Sequence, residues 1–150
     1  MRVLITGGAG FIAYHLASEL IGRRAEVVLL DNFNDFYDPE IKRRNVRDLQ
    51  ALGPAPLYET DILDRAALRR VFGRVRPDTV VHLAAWAGVR PSLEKPELYA
   101  SVNVTGTVNV LEMARECATR CFIFGSSSSV YGGNTKVPFS EDDPVDRPVS

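Results

Sequence analysis

The sequence predicts an open, doubly wound α/β fold: a parallel sheet with helices on both faces. Short apolar runs alternate with longer stretches of helical periodicity along the 150 residues. Strands separated by ten or more residues of helix cannot be hairpins, so they pair in parallel through right-handed crossovers. The expected strand order is 3-2-1-4-5, with a ligand crevice beyond the carboxyl ends of strands 1 and 4, where the winding reverses. A third observation is local. The opening run Met1-Arg2-Val3-Leu4-Ile5 leads into Thr6-Gly7-Gly8-Ala9-Gly10, a glycine-rich turn standing just before a helical pattern.

The strands are expected near Arg2–Thr6, Glu26–Leu30, Leu57–Thr60, Asp78–His82 and Cys121–Gly125. Helices are expected near Phe11–Arg23, Glu40–Leu52, Arg65–Arg74 and Glu97–Thr119, with Asp64 suited to cap the third. From Ser101 to Val110 the chain is rich in β-branched residues around Gly106, which locally favours a strand. The need for a crossover between strands 4 and 5 outweighs that preference, so the segment is read as helix. After Gly125 the regularity fades into Ser126-Ser127-Ser128-Ser129 and a loop bearing Pro and Asp through Ser150. The whole chain, residues 1–150, reads as one domain.

The glycine turn has chemical meaning in this setting. Gly7 and Gly10 let the chain turn sharply and bring amides close to a pyrophosphate, while the helix opening at Phe11 and Ile12 points unpaired N–H groups at it. Asp31 ends the second strand about 20 residues further on, where a carboxylate accepts hydrogen bonds from both hydroxyls of an adenosine ribose. A 2′-phosphate beside that carboxylate would be repelled, so the pattern points to NAD rather than NADP. Glycines also serve tight turns with no ligand; it is the strand before, the helix after and the acid at its distance that give the functional reading.

Composition narrows the partners. A formal net charge of −1 with scattered Lys and Arg gives no basic field for nucleic acid. No apolar stretch reaches the roughly 20 residues that span a bilayer, and the sequence starts directly on a strand, so a cytoplasmic location is expected. Cys117 and Cys121, with only His15 and His82 beside them, lack the ligand count of a structural zinc site. No metal is expected, and both cysteines read as reduced packing residues.

Several segments together resemble the extended short-chain dehydrogenase/reductase family of nucleotide-sugar enzymes, and more specifically its UDP-glucuronate 4-epimerases. The segments are 31–39 (DNFNDFYDP), 82–85 (HLAA), 87–90 (AGVR), Ser126 to Gly132, and 134–144 (NTKVPFSEDDP). The resemblance implies a Rossmann-type fold in which Phe11 and Ile12 lie over the pyrophosphate. Asp31 and Asn32 would hold the ribose, Asp61 and Ile62 would bracket the adenine, and Leu83, Ala84 and Ala85 would line the cofactor's path. Asn103 would lie near the nicotinamide. Ser127 aligns with the family's catalytic serine, with Ser128 and Arg90 facing the sugar of a UDP-sugar substrate. A homodimer through the Glu97–Thr119 helix is also implied.

The implied reaction oxidises the sugar at C4 on bound NAD, turns the 4-keto sugar over, and reduces it on its other face. Related dehydratases and decarboxylases place a carboxylate in the serine loop; here residues 126–129 are all serine, which suits hydride chemistry without elimination. The family's base is a tyrosine followed four residues on by lysine. Tyr14, Tyr37, Tyr58, Tyr99 and Tyr131 are followed at that distance by Ser18, Ile41, Ile62, Asn103 and Thr135. The sequence is therefore expected to be an N-terminal part, lacking the Tyr-x-x-x-Lys helix and the substrate domain, inactive by itself and exposing apolar surface on strand 5 and its neighbouring helix. Ala13 replaces the usual third glycine, and Trp86 reads as a packing aromatic.

Overall fold

A computed structural model describes residues 1–147 of the chain. Five parallel strands, β1 (Arg2–Thr6), β2 (Glu26–Asp31), β3 (Leu57–Glu59), β4 (Thr79–His82) and β5 (Cys121–Phe124), form one sheet in the order β3-β2-β1-β4-β5. The expected order is observed. In register, Ile5 lies between Leu29 of β2 and Val81 of β4, and His82 lies between Thr6 and Phe124. The winding reverses between β1 and β4, which places a crevice over their carboxyl ends.

Alternation along the strands explains the layers. Leu4, Val28, Leu30 and Val80 point to one face, where they pack on Leu68 and Phe72 of α3 (Arg65–Val75) and on Val110 and Met113 of α6 (Thr107–Glu116). Val3, Ile5, Val27, Leu29 and Val81 point to the other. They meet Ala13 and Ala17 of α1 (Phe11–Gly22) and Val46 and Leu49 of α2 (Pro39–Leu52). Each fully buried aliphatic side chain contributes about 1.5–3 kcal/mol, so the two clusters fix which helix covers which face. The small Ala13, 1% exposed, seats α1 closely on the sheet, the task glycine performs in the usual pattern. Asp38 caps α2 through the amide of Glu40 at 3.0 Å, and Asp64 caps α3 through that of Ala67 at 2.9 Å, as expected of Asp64.

β2 ends on Asp31, so the acid sits on the strand end itself, as expected. Two other elements differ from expectation. A short helix, α4 (Val89–Glu94), interrupts the loop after β4. The β-branched segment is helical as expected, but its first part lies in a π-helical stretch, Ala100–Gly106, between α5 (Pro96–Tyr99) and α6. The helical run ends at Glu116 rather than Thr119, because Ala118 takes a left-handed φ of 53° and turns the chain toward β5. A 3₁₀ turn, Ser128–Tyr131, occupies the serine loop, and residues 148–150 lie outside those described. Ile123 and Phe124 on the outer strand β5 are about half exposed, as are Val104 and Val108 on the neighbouring helical run.

The π-helical stretch is pinned from both sides. A Cβ on Gly106 would lie 2.5 Å from Cδ1 and 2.7 Å from Cγ1 of Ile62, so the missing side chain admits Ile62 against the helix. The Asn109 side-chain amide then donates to the Ile62 carbonyl at 3.1 Å. On the sheet side the link is His82, which is 2% exposed. Thr107 Oγ1 donates to the Asn103 carbonyl at 2.7 Å and must therefore accept from His82 Nε2 at 2.9 Å. The neutral ring then accepts at Nδ1 from Thr6 Oγ1, 2.6 Å away, and Thr6 Oγ1 in turn accepts from the Ala84 amide at 3.3 Å. Burial lowers the His82 pKa to about 4, consistent with a neutral ring.

Two predictions follow from this joint. In the unfolded chain His82 titrates at its ordinary value of 6.5, against about 4 when folded. As pH falls through that window the unfolded chain takes up a proton the native one refuses, so stability declines by up to about 3 kcal/mol. Urea unfolding of wild type and His82→Gln at pH 7.5 and pH 5 should show a steeper decline in wild type; equal declines would refute the neutral relay. Gly106→Ala should lower the thermal midpoint by about 2–6 °C despite the better helix propensity of Ala. Adding Ile62→Val should restore part of the loss, whereas a rise with Gly106→Ala alone would show the contact has slack.

Candidate functional site

The glycine turn lies directly on the end of β4. Gly7 has a φ of +66°, and a Cβ there would come within 2.8 Å of the Ala84 nitrogen and 2.9 Å of the Leu83 carbonyl oxygen. Only glycine meets both demands. The Gly10 amide closes the turn on the Gly7 carbonyl at 2.9 Å, and α1 begins at Phe11 with no side chain capping it. The amides of Phe11, Ile12 and Ala13 therefore have neither an intrahelical acceptor nor a side-chain cap, in contrast to the starts of α2 and α3. Phe11 and Ile12 are largely exposed at the mouth of this turn.

Asp31 faces the same turn from the end of β2 and is 6% exposed. Its Oδ2 accepts from the Ala9 amide at 3.1 Å and its Oδ1 from the Phe33 amide at 2.8 Å. A carboxylate offers about four lone-pair positions, so two remain for a ligand. The ammonium of Lys42, from α2, lies 3.8 Å from Oδ1 and offsets the buried charge.

Next to it, Asn32 donates to Asp61 Oδ2 at 2.8 Å and accepts from the Asn34 amide at 3.0 Å. Asp61 Oδ1 accepts from the Leu63 amide at 2.8 Å, so this acid ties the end of β3 to that of β2.

A crevice of about 460 Å³ opens between these parts. It brings together Gly7, Gly10, Phe11, Ile12, Asp31, Asn32, Ile62, Leu83, Ala84 and Ala85, all read from the sequence. Asn34, Phe36, Tyr37, Lys42 and Thr60 line it as well and were not singled out. The first four lie on the loop and helix following β2, where only the packing of α2 against the sheet brings them back. Asp61 does not line the crevice; its neighbours Thr60 and Ile62 do.

A second crevice, of about 630 Å³, adjoins the first along Leu83–Ala85 and Gly125–Ser126. Asn103, Ser127 and Ser129 line it, while Arg90 and Ser128 line neither crevice. Ser127 Oγ accepts from the Ser129 amide at 3.2 Å, and its hydroxyl proton is free to point outward. The Asn103 side chain is committed to the loop after β4: it accepts from the Trp86 amide at 2.8 Å and donates to the Trp86 carbonyl at 2.9 Å. Trp86 packs edge-on against Phe36 and Tyr99, with ring centroids at 5.5 and 6.1 Å, the packing role expected of it.

Among the described residues no group of three or more His, Cys, Asp or Glu side chains could hold a metal ion, and no helix is long and apolar enough to cross a membrane. Cys117 and Cys121 are both free thiols: Cys117 packs against the core and burial raises its pKa, whereas Cys121, at the start of the outer strand β5, is exposed and not the packing residue expected.

Comparison with known proteins agrees with the geometry. UDP-glucuronate 4-epimerase 3 of Arabidopsis thaliana is 46% identical over 149 residues, which is 99% of this chain and 34% of that protein. The UDP-glucose 4-epimerase of Thermus thermophilus, solved in complex with NAD, superposes with a TM-score of 0.84 at 36% identity, over 100% of this chain and 45% of its own. A UDP-glucuronic acid 4-epimerase mutant from Bacillus cereus, solved with a fluorinated UDP-glucuronic acid and NAD, superposes at 0.82 with 33% identity, over 95% of this chain and 45% of its own. The sequence thus spans less than half the length of each of these relatives. The family model described as GDP-mannose 4,6 dehydratase matches residues 4–150. The chain belongs to that family, one of NAD-dependent nucleotide-sugar epimerases and dehydratases with a Rossmann-type fold.

Proposed function

We propose that this sequence forms the NAD-binding part of a nucleotide-sugar 4-epimerase acting on UDP-glucuronate, with NAD preferred over NADP. The observation that carries the reading is the meeting, in one crevice, of the uncapped amides of α1 with the buried carboxylate of Asp31. The amides of Phe11, Ile12 and Ala13 would hold the diphosphate. The free lone pairs of Asp31 would accept from the ribose hydroxyls. Ile62 would flank the adenine, and the small Ala84 and Ala85 would admit the nicotinamide end toward the second crevice.

Bound there, NAD would supply the acceptor and donor of a hydride at sugar C4, with no net redox. The chain's own contribution begins with Ser127, whose hydroxyl would share a proton with the sugar oxygen at C4. Arg90 and Ser128, which line neither crevice but adjoin Val89 and Ser127 of the second, would meet the sugar carboxylate or a phosphate of a UDP-sugar. The all-serine run at 126–129 favours epimerisation over the dehydration named in the family description, since it offers no acid to move a carbon-bound proton. No tyrosine here is followed four residues on by lysine, so the base that opens the reaction would come from elsewhere in a longer protein. The sequence alone would bind the cofactor without turnover. Pairing of two copies through Glu97–Thr119 would cover the exposed Val104 and Val108, and a cytoplasmic location would keep both thiols reduced.

NMR of UDP-glucuronate with NAD provides the test. The 150-residue chain should bind NAD and leave the sugar unchanged, whereas a longer protein carrying this sequence should yield the C4 epimer with no net NADH. Epimer formed by the 150-residue chain would refute the assignment of the base, and net NADH would mark a dehydrogenase instead. In the longer protein, Ser127→Ala should lower kcat by about 100-fold with a smaller change in KM.

A further inference from the structure

Two side chains of the segment after β2 face the first crevice with unused hydrogen-bonding capacity. Lys42 has a side chain only 6% exposed. Its ammonium donates to the Asn34 carbonyl at 3.0 Å and to Asn34 Oδ1 at 2.8 Å. An ammonium has three protons, and the nearest remaining acceptor, Asp31 Oδ1, lies at 3.8 Å, beyond hydrogen-bond distance. The same ammonium stands 5.0 Å from the ring centroid of Tyr37. The Tyr37 hydroxyl is itself buried and has no hydrogen-bond partner, and it lies 4.0 Å from where a Cβ on Gly10 would be. Buried donors are seldom left without an acceptor, so these two mark a place for oxygen atoms of a ligand.

Building on the dinucleotide reading above, we propose that Lys42 and Tyr37 complete the adenosine end of the site, and that Lys42 is a latent receptor for a 2′-phosphate which Asp31 holds neutralised. The third ammonium proton donates to a ribose oxygen, and the Tyr37 hydroxyl donates to a ligand oxygen beside Gly10. Lys42 and Asp31 together carry no net charge, so a 2′-phosphate gains no net attraction there to offset the loss of its hydration, and NAD is preferred. Burial and the charge of Asp31 both raise the Tyr37 pKa, which keeps the hydroxyl protonated and able to donate. On this account NAD preference belongs to a charge pair rather than to one acid. Replacing Asp31 by its uncharged isostere leaves a buried cation without its counter-charge, and a dianionic phosphate is the natural partner for it.

The test is calorimetric titration of the purified longer protein with NAD, NADP, ADP and adenosine, with a thermal midpoint recorded for every variant. Wild type should favour NAD. Asp31→Asn should move the NADP/NAD affinity ratio toward NADP by at least about 10-fold, the range of one charge-assisted hydrogen bond. Asp31→Asn with Lys42→Met should lose that gain, and Asp31→Asn with Lys42→Arg should keep it. Tyr37→Phe should weaken NAD by about 5–10-fold; a loss seen with ADP alone identifies a phosphate oxygen as the acceptor, and one seen with adenosine as well identifies the ribose. Equal NADP/NAD ratios for Asp31→Asn with and without Lys42→Met would overturn the proposal, as would unchanged NAD affinity in Tyr37→Phe. A wild-type protein that binds neither dinucleotide would instead remove the cofactor reading on which the proposal stands.

Discussion

The site depends on how closely the turn after β1 can approach the end of β4. At Gly7 a side chain would collide with the backbone of Leu83 and Ala84, and the left-handed φ would strain any other residue. With that approach secured, the open end of α1 faces the crevice at the reversal of the sheet. The same junction is closed from below by the Thr6–His82–Thr107 chain of hydrogen bonds, whose direction follows from the single proton of the Thr107 hydroxyl. One contact is steric and the other polar. Both join β1 to β4, so any shift between these strands would disturb the turn and the crevice wall together.

Polar groups in the interior are otherwise well served. Asp31, Asn109 and His82 all have partners in the fold, and the starts of α2 and α3 are capped. Against that background, the uncapped amides of α1, the unpartnered Tyr37 hydroxyl and the spare proton of Lys42 converge on a single crevice. Unsatisfied donors cost stability wherever water is excluded. Their collection at one place is economical only if a ligand rich in oxygen completes them.

Much of this was legible in the sequence because it rests on local rules. Strand alternation, crossover lengths, the glycine turn and the acid ending β2 are short-range patterns, and the observed sheet order and the crevice residues Gly7, Gly10, Phe11 and Ile12 follow from them. What escaped the sequence depends on long-range packing. Lys42 looks like any charged residue of a helix, and only the seating of α2 brings it to Asp31. Asn103 carries no local mark of its clamp on Trp86, which spans two elements, and Asp61 bonds to Asn32 from the loop after β3. The π-helical stretch was invisible for the same reason: β-branched residues weaken an α-helix, but its wider turn is sited where Gly106 meets Ile62.

That stretch links the far side of the sheet to the chemistry. Its residues reach the crevice system at three points: Val102 lines the first crevice, Asn103 fixes the loop carrying Trp86, and Gly106 receives Ile62. Thr107, one residue on, completes the His82 chain. Val102 and Gly106, like Asn103 and Thr107, are four residues apart, so these contacts fall on one face of the helical run. One helical run thereby meets the residues that follow β3 and β4, and through His82 the end of β1. Val104 of this stretch and Val108 of α6 face outward and stay exposed.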